Sequence, residues 1–226
     1  MHLELPKVRL DSLKDFLKHY LMIVLSILTA LGLEAWIEHV HHDHAARLAG
    51  TKIEAEIRAN MAAIDRVRAH DVARARLLEK VRDDLMGDIK AGLPDAAIYR
   101  HAHALMPEGL YLDVRRPSLR HEAWDVAVAN QAASWIDDER LSRYSAAYAA
   151  QDWALATMAQ DTTLVLDGPR MNDAMFDFGN DSLPPGDLVH VINQMASDLH
   201  DTAQILQNAK RELDDAVNGD NHATPG

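Results

Sequence analysis

Four histidines crowd one turn and a half of chain, His39, His41, His42 and His44, in the run Glu38-His-Val-His-His-Asp-His44. On a helix His39 and His42 are three apart, as are His41 and His44, and Glu38 lies four before His42. Imidazoles spaced in this way share one side of a helix, and Zn, Ni and Cu all accept such a pair. One pair is an incomplete site, because a third donor must come from another part of the chain. The same residues also read as a solvated juxtamembrane turn that meets lipid headgroups, or as a pH sensor, since imidazoles titrate near physiological pH. Metal titration with and without the four histidines separates the first reading from the others.

A second constellation precedes them. Ser26, Ala30 and Glu34 recur every four residues, with Thr29 beside them. Small residues on one helical face let another helix approach closely. An acid at the end of an apolar run is costly in hydrocarbon and marks a candidate site. The face therefore reads as a packing surface for a second copy or another membrane protein, with Glu34 hydrogen-bonded across it. The alternative is a Glu34 solvated among headgroups. A third set, His101, His103, Glu108, Asp113, His121 and Glu122, has no regular register. HExxH, a Gly-flanked catalytic serine and a phosphate-cradling glycine loop are all absent from the sequence. These residues read as polar side chains solvated at the surface rather than a catalytic centre. Trp124, Trp135, Tyr144, Tyr148 and Trp153 could line a pocket, but at helical spacing they read first as core.

The elements that must position these residues begin with Tyr20 to Leu33, YLMIVLSILTALGL, the one long uncharged apolar stretch. Extended from Leu17 to Ile37, it reaches roughly 30 Å as a helix, enough for a bilayer core. Tyr20 and Trp36 then fall near the two interfaces, and Lys18 can reach outward at the first. A rival reading is a cleaved signal peptide, with Ala30-Leu31-Gly32 as a small-x-small site. The mixed charge of the lead-in and the unbroken helical pattern after Gly32 favour a retained anchor. Lys7, Arg9, Lys14 and Lys18 precede the span, against Arg47 and Lys52 after it. This bias predicts a cytoplasmic N-terminus and, in a bacterial inner membrane, a periplasmic C-terminal part. The expected divisions are a lead-in at 1–16, the span at 17–37, a helical bundle at 38–217 and a disordered tail at 218–226.

Composition agrees with a helical protein. Ala, Leu, Asp and Arg are plentiful, glycine and aromatic residues sparse. There is no cysteine, which excludes disulfides and thiol chemistry. A formal charge of −12 argues against nucleic acid as a partner.

Apolar residues recur at Ile53, Ile57, Met61, Ile64, Val67, Val72, Ala75, Leu78, Val81, Leu85 and Ile89, a mean spacing of about 3.6. This predicts one amphipathic helix, or two collinear ones with a weak point at Gly50, stopped by Gly92 and Pro94. A short helix over 96–106 capped by Asp95, a connector over 110–116, and a helix from Ser118 to Trp135 follow. That last helix is expected to bury Leu119, Ala123, Trp124, Ala127, Val128 and Ala132. A helix over 139–166 comes next, with frequent alanines (Ala146, Ala147, Ala149, Ala150, Ala154) that admit a close neighbour. Asp167-Gly-Pro169 breaks it, a short helix over 171–178 follows, and Asp187 caps a final helix over 188–217. A short amphipathic piece over 11–19, capped by Asp11 or Ser12, either lies in the interface or forms the first turns of the span. The expected fold is all-α, a transmembrane helix continuing into an antiparallel bundle.

The stretch LKDFLKHYLMIVLSILTALGLEAWIEHVHHDHAARLAGTKIEAEIRAN resembles the start of a group of uncharacterised bacterial single-pass membrane proteins. In these an Ala-Leu-Gly-Leu-acid-x-Trp-like sequence ends the span, as Ala30 to Trp36 does here. The stretch HEAWDVAVANQAASWIDDERLSRYSAAYAAQ is similar to the same group, from Trp124 to Tyr148 in particular. The resemblance implies a location and a helical extracytoplasmic region; it implies no activity. The expected function is an anchored interaction, scaffold or sensor protein, part of a larger membrane complex, rather than an enzyme. The alternative is a periplasmic domain that binds a metal or small ligand through the juxtamembrane histidines.

Overall fold

The computed structural model describes residues 10–166 and 169–219, with side chains over 13–160 and 172–219. The expectations for Lys7 and Arg9, for an Asp11 or Ser12 cap, for the Asp167-Gly168 break and for residues 220–226 lie outside what is described. The elements are α1 (Leu10–Lys90), α2 (Asp95–Leu105), α3 (Glu122–Ala129), a 3-10 turn (Ala132–Trp135), α4 (Asp138–Leu166), α5 (Pro169–Gly179) and α6 (Pro185–Asn218). Among the described residues there is no strand, and the fold is all-α.

Helix α1 is one unbroken rod, about 120 Å long at 1.5 Å per residue. Its two ends differ in kind. From Leu13 to Ile37 large apolar side chains are exposed on every side, among them Leu17, Tyr20, Leu21, Ile27, Leu31 and Trp36. A helix that is apolar all round and uncovered by its own protein needs a nonaqueous surrounding. This part is long and apolar enough to cross a membrane. From Ala49 onward the pattern becomes a stripe. Ile53, Ile57, Ile64, Ala75, Leu78, Val81 and Leu85 are each at most 2 % exposed. Each large aliphatic residue among them contributes a gross 1.5–3 kcal/mol, on the order of what full burial yields. Gly50 does not interrupt the helix. A Cβ there would lie 3.2 Å from the Arg140 guanidinium and 3.6 Å from the Tyr144 hydroxyl, so the missing side chain makes room for both.

Four limbs alternate in direction. Gly92, in the left-handed region, and Pro94 end α1 and turn the chain. Residues 95–135 then run back beside it as one broken limb. His101 pairs with Asp88, Arg74 donates to the Tyr111 carbonyl, Asn60 meets Arg120, Glu56 meets Ala123, and His42 stacks on Trp135. Pro107, Pro117 and the left-handed Gly109 and Asp113 keep the middle of this limb out of regular helix. Helix α4 rises parallel to α1, with Tyr144, Tyr148 and Gln151 opposite Glu54, Glu56 and Asn60. Helix α6 descends against both, pairing Asn193, His200 and Lys210 with Arg82, Glu79 and Asp65. The antiparallel bundle is therefore as expected, with its second limb in pieces.

Three details depart from the sequence reading. The helix expected from Ser118 to Trp135 is α3 and the 3-10 turn, separated at Asn130 and at Gln131, which takes the left-handed conformation. Val128, Trp135 and Trp153 are more than half exposed instead of buried. Pro94 and Pro184, not Asp95 and Asp187, hold the N-cap positions of α2 and α6. The acids lie in the first turns, where they favour the helix dipole.

The core is in two parts. One gathers Ile53, Ile57 and Ile64 with Tyr144, Met158, Leu206 and Leu213. The other gathers Leu78 and Leu85 with Tyr99, Phe178, Ile192 and Leu199. Between Ile64 and Ala75 the centre of the stripe is polar, with Asp71 fully buried.

Candidate functional site

The Ser26, Thr29, Ala30 and Glu34 face lies on the uncovered part of α1. The Ser26 hydroxyl donates to the Met22 carbonyl at 2.8 Å and the Thr29 hydroxyl to Leu25 at 2.8 Å. Both turn back on their own helix, a common habit of these residues. What the face presents outward is smallness at Ala30 and a carboxylate at Glu34.

The four histidines follow on the same helix. His39 Nε2 lies 3.7 Å from Asp43 and His42 Nε2 lies 3.8 Å from Glu38, each along α1. His42 also stacks on Trp135, with ring centroids 3.7 Å apart. That contact joins α1 to the 3-10 turn near the uncovered apolar end of α1. Among the described residues, His39, His41, His42 and His44 are not joined by further ligands into a group that could hold a metal.

The third set is distributed. His101 faces Asp88 at 2.6 Å, His103 faces Asp181 at 2.7 Å, and His121 faces Asp125 at 2.9 Å. Tyr111 donates to Glu108 at 2.5 Å. Asp113 meets His70 at 3.1 Å, and the other nitrogen of that ring meets Asp71 at 3.0 Å. Burial pushes the Asp71 carboxyl above its ordinary range, against the hydrogen bonds from His70 and the Arg115 backbone. The pairs involving His101, His103 and His70 tie the returning limb or α2 to a different neighbour at each level. They are fastenings, not one centre.

The densest polar arrangement contains Tyr144 and Tyr148, but its Glu54, Glu56, Asn60, Arg140 and Gln151 were not among the residues singled out by sequence. It lies between α1 and α4. Tyr144 and Arg140 each donate to Glu54 Oε1 at 2.8 Å, and Arg58 donates to Oε2 at 3.1 Å. One level along, Tyr148 donates to Glu56 Oε1 at 2.6 Å, and the Ala123 amide in the first turn of α3 donates to both Glu56 oxygens at 3.0 and 3.1 Å. Glu56 thus serves an orphan amide of that helix start. One level further, Asn60 donates to the Arg120 carbonyl and to Gln151 Oε1, both at 2.8 Å, and accepts from the Arg120 amide at 2.9 Å. A signal existed for Asn60 and Asp71. Counting in steps of 3.6 from Ile53 lands on both, at the centre of the stripe.

The electrostatics follow from this geometry. Burial and the bond to Glu54 push the Tyr144 phenol up to about 12, and burial and Glu56 push Tyr148 higher still. Burial of Glu54 opposes its charge, yet hydrogen bonds from Tyr144, Arg140 and Arg58 outweigh it and hold the carboxyl below 4.5. A depressed carboxyl stabilises the fold above its unfolded pKa, and that contribution disappears as pH falls through the folded value. Glu54→Gln is therefore expected to cost about 1–2 kcal/mol at neutral pH and to converge with the wild type below the ordinary carboxylate range. Thermal melts of both proteins between pH 7 and pH 3 measure this.

Trp124 and His121 lie against Tyr148, Tyr144 and Tyr148 are buried, and Trp135 and Trp153 are exposed. The five aromatic residues do not converge on a pocket. A recess of about 200 Å³ opens between α1 and the Met106–Tyr111 turn, with Arg74 and Tyr111 at its edge. The arrangement can hold limbs in register and present surfaces; among the described residues no nucleophile, base and oxyanion site are brought together. No family model matches the chain, and no curated protein or solved structure matches it either.

Proposed function

We propose that this chain is a membrane-anchored interaction protein, a scaffold or sensor subunit of a larger membrane complex. Its bundle would stand in the periplasm of a bacterium on a single span through the inner membrane, with the N-terminus in the cytoplasm. The observation that supports this reading is the continuity of α1. The same helix that is apolar on all sides over 17–37 supplies the central stripe of the bundle over 53–85. Span and bundle are thus one rigid element, so a partner that turns or shifts the span acts on the bundle directly. The Ser26, Ala30 and Glu34 face is the part of the span suited to a second helix, from another copy or another membrane protein.

Topology is the first test. The chain has no cysteine, so one introduced at a time is a unique label. A cysteine at the exposed Lys90 is expected to react with a membrane-impermeant maleimide in intact spheroplasts, and one at Lys7 only after lysis. The reverse pattern would invert the orientation, and reaction of both would remove the span. Ala30→Leu with Glu34→Ala tests the partner face. Unchanged self-association and unchanged partner recovery in a bilayer would count against it.

A further inference from the structure

We infer that Trp135 is a second membrane contact of this protein, an interfacial anchor that seats the near end of the bundle on the lipid headgroup layer. The inference rests on the reading of Leu17 to Ile37 as a span. If Ile37 marks the edge of the hydrocarbon, His42 stands about 8 Å beyond it along α1. The headgroup layer on each side of a bilayer is itself about 5–8 Å deep. Side chains of a helix lean toward its N-terminus, so the His42 imidazole projects back toward the bilayer. The Trp135 indole is stacked on that imidazole at 3.7 Å, with the rings 15° from parallel. It therefore lies at headgroup level, although it is nearly a hundred residues from the span in sequence.

The chemistry fits that level. Trp135 is 51 % exposed even with one face on His42. Indole combines an apolar body with a polar N–H and is enriched where hydrocarbon meets water. The adjoining corner carries Asp137, Asp138 and Glu139, all exposed. Those acids oppose an anionic surface, so the contact suits neutral, zwitterionic lipid and works through the indole rather than through charge. Trp153 supplies an internal contrast. It is 58 % exposed, yet it lies near the level at which Gln151 meets Asn60, roughly 35 Å beyond Ile37. Exposure alone therefore does not separate the two tryptophans; height above the bilayer does. With the span as one point and Trp135 as a second, off the axis of α1, the bundle cannot tilt freely away from that side of the bilayer.

Depth-resolved quenching tests this on the full chain in phosphatidylcholine nanodiscs. Three proteins each retain one tryptophan, Trp36, Trp135 or Trp153, with the other three changed to phenylalanine. Phosphatidylcholine carrying a nitroxide on its headgroup is the quencher. Trp36 and Trp135 are expected to lose at least twice the fraction of emission that Trp153 loses. If Trp36 is quenched and Trp135 behaves like Trp153, the second contact is overturned while the span stands. If Trp36 is not quenched, the span itself is wrong. Because Trp124 lies against Tyr148, its replacement can disturb the fold. Trp135→Phe in the otherwise unchanged chain gives an independent reading: the headgroup-quenchable emission should fall by about half, and an unchanged quenchable fraction overturns the proposal.

Discussion

Replacing Asn60 by leucine is expected to lower the stability of the bundle by about 3 kcal/mol. Asn60 is 1 % exposed and uses both ends of its carboxamide. It donates to the Arg120 carbonyl and to Gln151, and it accepts from the Arg120 amide. The Arg120 peptide is thus held on both sides at the point where the returning limb passes between two rising helices. Gln151 Nε2 adds a second donor to the same carbonyl at 3.0 Å. Leucine has nearly the same volume, so packing changes little. What it leaves behind is an orphaned Arg120 amide and an orphaned Gln151 oxygen, each costing about 1–3 kcal/mol where water cannot reach. Leucine's own burial offsets part of that loss. Urea unfolding of the full chain in mild detergent, followed by circular dichroism, measures the sum. Asn60→Leu combined with Gln151→Leu should recover none of it, because the Arg120 carbonyl then loses both of its donors. A single variant within 0.5 kcal/mol of the wild type would show that this junction does not hold the limb.

That junction also shows what a sequence can and cannot disclose. The apolar stripe of α1 is readable because a helix face repeats every 3.6 residues, and Ile53, Ile57, Ile64, Leu78 and Leu85 are buried as the spacing requires. Asn60 and Asp71 were readable too, as polar residues in the centre of that stripe. Their partners were not. Periodicity fixes which face a residue occupies, and it carries no information that Gln151, 91 residues away, will meet Asn60. The break between α3 and the 3-10 turn was hidden for a local reason. Asn130-Gln131 contains neither glycine nor proline, and a left-handed glutamine is not foreseen from composition. Trp135 and Trp153 were misplaced because burial preference is an average over tryptophans. The Ser26, Ala30 and Glu34 face was legible as a pattern, but the inward turn of the Ser26 and Thr29 hydroxyls depends on backbone carbonyls that a spacing argument does not weigh.

The second large effect concerns α1 as a mechanical element. Val40→Pro is expected to uncouple the bundle from the span while leaving the bundle as stable as before. Val40 lies between the span and the first contact of the bundle, and it is 44 % exposed. Proline there removes the bond from residue 40 to the carbonyl of residue 36 and drives its ring against that carbonyl, at a cost of about 3 kcal/mol to a straight helix. The helix escapes that cost by kinking, since no neighbouring limb holds it straight at this point. Spin labels on cysteines at the exposed Ile27 and Lys52 report the result. They are separated by roughly 38 Å along a straight helix. The otherwise unchanged chain in nanodiscs should give a narrow distance distribution near that value, and the proline variant a broader and shorter one. Thermal melting of the bundle should be the same in both. If the chain without proline already gives a broad distribution, α1 bends at the membrane surface and cannot transmit rotation. If both distributions are narrow, contacts other than the helix fix the bundle to the bilayer, and the indole of Trp135 becomes the first of them to remove. A one-residue insertion after Val40 makes the distinction sharper. It turns the bundle by about 100° relative to the span and lifts it by only about 1.5 Å, so a partner sensitive to it reads orientation and not height.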